Sequence, residues 1–241
     1  MVQASRRTGS PDSALVRLLA RLAELDVRES PQGFAARLGQ WLRWTDAMPL
    51  FTALQDAPGQ PPAAASGDPA KAAAALQTIA GAGARLRSAL ARAIAEEAAT
   101  ATEEFRSPLP PLPGEVKEAT PGFAPYRRCV LARQSAMAHG IAPLRGRLRM
   151  ALSARSPALA RLATVDTVME QVLGAQEHRL LAGIPKLLEK RFRQLRDARG
   201  DEALEDWPAL FQQELQSVLL AELDLRWQPI EGLLKTLRVN I

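Results

Sequence analysis

Pro125-Tyr-Arg-Arg-Cys-Val-Leu-Ala-Arg-Gln-Ser-Ala-Met-Ala-His-Gly-Ile-Ala-Pro-Leu-Arg-Gly-Arg-Leu-Arg-Met-Ala-Leu-Ser153 is the stretch that decides the fold. Its large apolar residues Val130, Met137, Ile141, Leu144, Leu148 and Leu152 recur at steps of three, four and seven. At about 100° per residue these six fall within about 80° of one another, which is one face of a helix. The register carries straight through Gly140 and Pro143, so the pattern predicts one kinked helix and not two unrelated ones.

The same periodicity extends in both directions. Upstream, Leu76, Ile79, Gly83, Leu86, Leu90, Ile94, Ala98, Ala101 and Phe105 mark a long helix that opens at Asp68-Pro69. Ser107-Pro-Leu-Pro-Pro-Leu-Pro113 stops it, because each proline lacks an amide donor and restricts its predecessor. Downstream, Ser156-Pro157 opens a helix by the cap-then-proline rule. It carries Leu162, Val165, Met169, Val172, Leu180, Ile184, Leu187, Leu188, Phe192 and Leu195, with a bend at Pro185 and a stop at Gly200. A last helix begins near Asp206-Trp207-Pro208, carries Phe211, Leu215, Val218, Leu219 and Leu223, and is disturbed at Pro229. Two shorter helices precede all of these. One starts after Pro11, capped by Asp12 or Ser13, and runs to about Asp26 on Leu15, Leu18, Leu19, Leu22 and Leu25, and one opens at Ser30-Pro31 on Phe34, Leu38, Trp41 and Leu42.

Period-2 runs of Val, Ile and Tyr are missing, so the fold class is all-α. The expected organisation is an N-terminal helical pair (1–56), a flexible linker (57–69), a long helix (70–106), a Pro-rich linker (107–122) and a three-helix bundle or coiled coil (123–241). Short turns between long helices make antiparallel packing the natural arrangement of that last part.

Of 241 residues 47% are apolar, enough for a core, so wholesale disorder is excluded. A single cysteine, Cys129, forbids an intrachain disulfide and suits a reducing compartment. No apolar run approaches the 18 or so residues needed to cross a bilayer. Met1 to Pro11 has the charge of a signal n-region, but Arg17 and Arg21 interrupt the apolar segment after it. The expectation is a soluble, cytoplasmic protein.

The catalytic and ligand-binding patterns come up short. His139 and His178 lie far apart and belong to no metal-spacing motif, so no cofactor or metal is expected. Gly81-Ala-Gly83 has no preceding strand, and Gly183-Ile-Pro-Lys186 lacks the glycines and the Ser/Thr of a phosphate loop; both read as helix-packing or kink glycines. Arg127, Arg128 and Arg133 would lower the Cys129 thiol pKa if they lay close to it, yet no Cys-His pair is spaced to use it. These residues point away from an enzyme.

Charge segregation is the feature with chemical consequence. The net charge is +5, and no carboxylate occurs between Glu118 and Asp166. That interval carries Arg127, Arg128, Arg133, Arg145, Arg147, Arg149, Arg155 and Arg161, while Glu96, Glu97, Glu103 and Glu104 crowd the helix before it. Repulsion along a bare arginine helix costs stability unless anions lie near. Those anions are either the chain's own carboxylates or an acidic or helical protein partner, with nucleic acid as the alternative. Aromatic interleaving for base stacking is missing, which disfavours the alternative. Trp41 and Trp44, three apart on one helical face, are candidates for an apolar contact. Self-association is a further alternative. Membrane contact through residues 13–25 is opposed by Glu24 and Asp26. The Pro108 to Pro113 run contains PxxP, which also serves as a plain spacer.

The run Ser13-Ala-Leu-Val-Arg-Leu-Leu-Ala-Arg-Leu, with Phe34-Ala-Ala-Arg-Leu-Gly-Gln-Trp-Leu-Arg-Trp-Thr-Asp46, Asp166-Thr-Val-Met-Glu and Leu187-Leu-Glu-Lys-Arg-Phe192, resembles an uncharacterised family of helical proteins from beta-proteobacteria, a domain of unknown function. The resemblance covers most of the chain through helical-pattern motifs, and no catalytic residue transfers from it. It implies genes beside flagellar-stator-like or Tol/Exb-like proton channels and OmpA-like wall-binding proteins, hence a soluble accessory of an envelope complex.

The reading is therefore a non-enzymatic helical interaction or scaffold protein, with Arg127, Arg128, Arg133, Arg145, Arg147, Arg149, Trp41 and Trp44 as binding residues.

Overall fold

A computed structural model describes residues 14–23, 44–55, 69–107, 122–198 and 206–239. They form helices α1 (Ala14–Leu22), α2 (Trp44–Gln55), α3 (Pro69–Arg106), α4 (Ala124–Ser153), α5 (Pro157–Leu181), α6 (Ile184–Asp197) and α7 (Trp207–Val239). There is no strand among the described residues. The fold is all-α.

Helix α4 runs unbroken through Gly140 and Pro143, and its six-residue stripe is buried along its whole length. A sharp turn follows. Its amides close back on the helix, Ala154 N–H donating to the Met150 carbonyl at 3.1 Å and Arg155 N–H to that of Leu152 at 3.0 Å. Ser156 then sits in extended backbone, and its Oγ accepts from the Leu159 amide at 3.2 Å ahead of Pro157 at the helix start.

The single helix expected from Ser156 to Gly200 is divided. It ends at Leu181 and restarts at Ile184, with the Gly183 amide donating to the Leu180 carbonyl at 3.1 Å. Pro185 has no N–H to give the Leu181 carbonyl one turn back, so a bend becomes a break. That carbonyl is satisfied instead by Gln134 Nε2 of α4 at 3.1 Å. At Pro229 the outcome is the reverse: α7 continues to Val239 without interruption. Trp227, Ile230, Leu233 and Leu237 are all buried, so packing holds the helix on both sides of the proline.

Helices α3, α4 and α7 pack on one another and enclose the core. Gly83 of α3 is the point where they meet: a Cβ there would lie 3.4 Å from Leu144 of α4 and 3.8 Å from Trp227 of α7. Further along, Leu86 faces Gly140, and Arg133 pairs with Glu97. On the α7 side Gln216 Nε2 donates to the Ala95 carbonyl and Arg106 meets Asp206. Partner numbers fall as α3 numbers rise, so α3 is antiparallel to both neighbours, and α4 and α7 run parallel. The connection between parallel helices has to travel back along the bundle, and α5 with α6 supplies it. Helix α5 lies antiparallel on α4, and α6 packs on α7 and α4. Helix α1 rests on α6 and α7, and α2 rests on α5.

One end of the bundle is closed by rings. Phe105, Phe123, Tyr126, Phe192, Trp207 and Phe211 bring together α3, α4, α6 and α7, with neighbouring centroids from 4.9 Å to 6.4 Å apart. Phe192 touches the other five, two of them at tilted angles and three edge-on, geometries that aromatic quadrupoles favour.

Candidate interaction surface

The antiparallel packing of α3 on α4 lays the acidic half of one helix beside the basic half of the other. Arg128 reaches Glu104, and Arg133 meets Glu97 at 2.6 Å. At the other end of α4, the tight turn folds α5 back so that Asp166 and Glu170 face Arg145 and Arg149. Arg145 lies 2.7 Å from Asp166 and 3.2 Å from Glu170, and Arg149 lies 2.7 Å from each. Burial alone would raise the Asp166 carboxyl pKa, but hydrogen bonds and charge from the two guanidiniums hold it below the usual carboxylate range. Desolvation likewise opposes the charged form of Arg145, and Asp166 and Glu170 overcome it, raising its pKa.

Four of the arginines expected to bind a partner thus face carboxylates of the same chain. Arg127 and Arg147 are exposed and pair with no carboxylate among the described residues. Trp41 lies outside the described residues. Trp44 opens α2, and its side chain also lies outside them.

The pattern is general. Every Asp and Glu whose side chain is described stands in an ion pair with an arginine. Glu222 is the deepest of them, fully buried on α7. Its two oxygens accept from Gln134 Nε2 and from Arg226 Nε, each at 3.0 Å. Free charge among the described side chains is therefore cationic.

The lone thiol behaves differently from the expectation its arginine neighbours raise. Cys129 is buried, and its pKa is pushed up to about 11, first by burial and then by Glu97, against the smaller pull of Arg133. No pattern in the sequence points to Glu97 as its neighbour, because only the packing of α3 on α4 brings it there. Among the described residues no three His, Cys, Asp or Glu gather to hold a metal ion. None of the described helices is long and apolar enough to cross a membrane.

A cleft that sequence reasoning missed lies between α1 and α7. It has a volume of about 400 Å³ and is lined by Leu18, Arg21 and Leu22 on one side and Leu210, Gln213, Glu214 and Ser217 on the other. Glu214 is held there by Arg191 through two hydrogen bonds of 2.9 Å and 2.8 Å. The sequence signal that could have found it is the doubled spacing in α1, Leu18 with Leu22 beside Arg17 with Arg21.

No curated protein and no solved structure shows significant similarity to this sequence. A family model described as "Protein of unknown function (DUF3348)" matches residues 1–239, and with that coverage of its helices the chain belongs to this family.

Proposed function

We propose that the protein is a non-enzymatic, all-α interaction or scaffold protein that works in the cytoplasm and docks on an acidic or helical partner. The observation that carries this reading is the one-signed free charge among the described residues: each described carboxylate pairs with an arginine of the same chain, and exposed cations remain. Such a surface attracts and orients an anionic partner, raising encounter rate and fixing register. In this reading Arg127 and Arg147 carry the electrostatic contact outside the bundle. Arg128, Arg133, Arg145 and Arg149 would first have to leave their own carboxylates, which the two most buried, Arg145 and Arg149, are least able to do. The envelope setting implied by the family resemblance fits the same proposal, with the protein as an accessory on the cytoplasmic side.

Size-exclusion chromatography with light scattering tests it, using the full chain alone and mixed with candidate partners. A complex that weakens with salt and with Arg127→Glu or Arg147→Glu is expected; a lone monomer under every condition removes the reading. Nucleic acid is the second reading, favoured by the same free cations. It requires affinity for duplex DNA that falls steeply with salt, by about 0.9 log units per log unit of salt for each phosphate contacted. Flat or absent binding at about 50 mM salt dismisses it.

A further inference from the structure

Most large apolar side chains left in solvent stand singly. Leu131 and Met150 lie far apart on α4, as do Leu162 and Leu180 on α5. Helix α2 departs from this. Met48, Phe51 and Leu54 are 57%, 56% and 55% exposed, and their spacing of three puts them within about 120° on one side of the helix. The side that carries the buried Ala53 rests on α5. From Met48 to Gln55 no side chain is charged. Single exposed apolar residues are ordinary, whereas a contiguous run of them marks a contact surface.

We infer that this face is where two copies of the chain meet, α2 lying antiparallel on α2 across a two-fold axis. Two observations select a second copy as the occupant. The first is the symmetry of the stripe about its centre. Reversing one helix sets Phe51 against Phe51 and Met48 against Leu54, the self-complementary pattern that an isologous contact requires. The second is charge. The chain carries +5, and the free charge among its described side chains is cationic, so two copies approach best through a face that has none. Other occupants match less of the site. Helix α2 contains no Lys or Arg, so an acidic helix, nucleic acid or an anionic bilayer finds no cation on it. With 12 residues the contact is about 18 Å long, an interface at the small end for protein pairs, and the dimer is correspondingly weak.

This contact is separate from the electrostatic docking proposed above, and salt tells the two apart. Sedimentation equilibrium of the full chain is run from about 1 µM to about 500 µM, at about 0.05 M and about 0.5 M salt. A monomer–dimer equilibrium is expected. Higher salt is expected to strengthen it by screening repulsion between like-charged copies, whereas a complex held by ion pairs weakens. Phe51→Glu and Phe51→Lys, which set like charges face to face at the axis, are each expected to weaken the dimer about tenfold or more. An equimolar mixture of the two variants is expected to associate more tightly at low salt than either alone. Ser88→Glu, the same added charge at an exposed position of α3, is expected to leave dimerisation unchanged. Phe51 is exposed, so the variants keep the parent fold, and circular dichroism verifies that they do. A monomer at every concentration, a dimer that dissolves at high salt, a dimer indifferent to both Phe51 variants, or a mixture no tighter than its components overturns the inference. Each of these outcomes leaves docking on an acidic partner in place.

Discussion

Arg145 holds Asp166 with both arms of its guanidinium, Nε at 2.8 Å from one carboxylate oxygen and Nη2 at 2.7 Å from the other. The two side chains are only 13% and 16% exposed, so this pair joins α4 to α5 with little help or hindrance from water. Arg149 adds a third hydrogen bond to the same carboxylate at 2.7 Å.

Asp166→Asn keeps the shape and removes the charge that both arginines face. Breaking a desolvated pair from one side leaves the other side uncompensated, and here Glu170 relieves only part of that. A loss of about 2 kcal/mol is expected in urea unfolding. The pH dependence has a defined sign. The folded carboxyl pKa lies below the unfolded value of about 3.9, so its stabilisation is present above that value and is lost as pH falls through the folded one. Stability of the parent protein is therefore expected to fall more steeply below about pH 4 than that of Asp166→Asn.

Cys129 is expected to react slowly with a disulfide reagent at pH 8, with a rate that rises when denaturant opens the fold. With a folded pKa of about 11 its thiol stays neutral, whereas the unfolded thiol ionises near 8.5. The folded state holds the proton longer, so stability contributed by this group is complete below about pH 8.5 and declines as pH rises towards 11. Cys129→Ser removes that alkaline slope, and comparing the two unfolding curves at pH 7 and pH 10 measures it.

Two glycines should respond to alanine in opposite directions. A Cβ on Gly146, inside α4, meets nothing within 4 Å, so Gly146→Ala is expected to stabilise by about 0.5 to 1 kcal/mol through helix propensity alone. Gly122 has φ +85°, and a Cβ there would lie 2.7 Å from Phe105. Gly122→Ala is expected to destabilise by about 2 kcal/mol, by backbone strain and by pushing a ring out of the aromatic cluster. Thermal unfolding of the two variants settles both signs.

Phe192→Ala should be among the most damaging single truncations. The ring is fully buried and touches Phe105, Phe123, Tyr126, Trp207 and Phe211, so its loss leaves a cavity bounded by four helices. A cost of about 3 to 5 kcal/mol is expected in denaturant titration, against less than about 1.5 kcal/mol for Phe192→Leu if the cluster repacks.

The helices were legible because burial is periodic. The stripe from Val130 to Leu152 is all core, and so are Leu76, Leu90, Ile94, Ala98 and Ala101 of α3. The Ser156-Pro157 start was legible too, since a cap and a proline act within one turn. Prolines inside helices were harder: Pro185 breaks its helix and Pro229 does not, and the difference lies in tertiary packing that no local pattern records. The surface was legible in part. Charge segregation announced that α4 needed anions, but Arg133 with Glu97 and Arg145 with Asp166 depend on which helices lie antiparallel. The aromatic cluster was hidden for the same reason. Its members are scattered from Phe105 to Phe211, and only the fold gathers them.

Parallel orientation of α4 and α7 has a bearing on how the molecule is made. A polypeptide leaving the ribosome can pair α3 with α4 early, as a hairpin, but that pair has an open apolar seam until α7 arrives more than fifty residues later. Closure of the core thus waits for α7, and the nascent chain carries its unfinished leucine face past α5 and α6 before the final wall is in place.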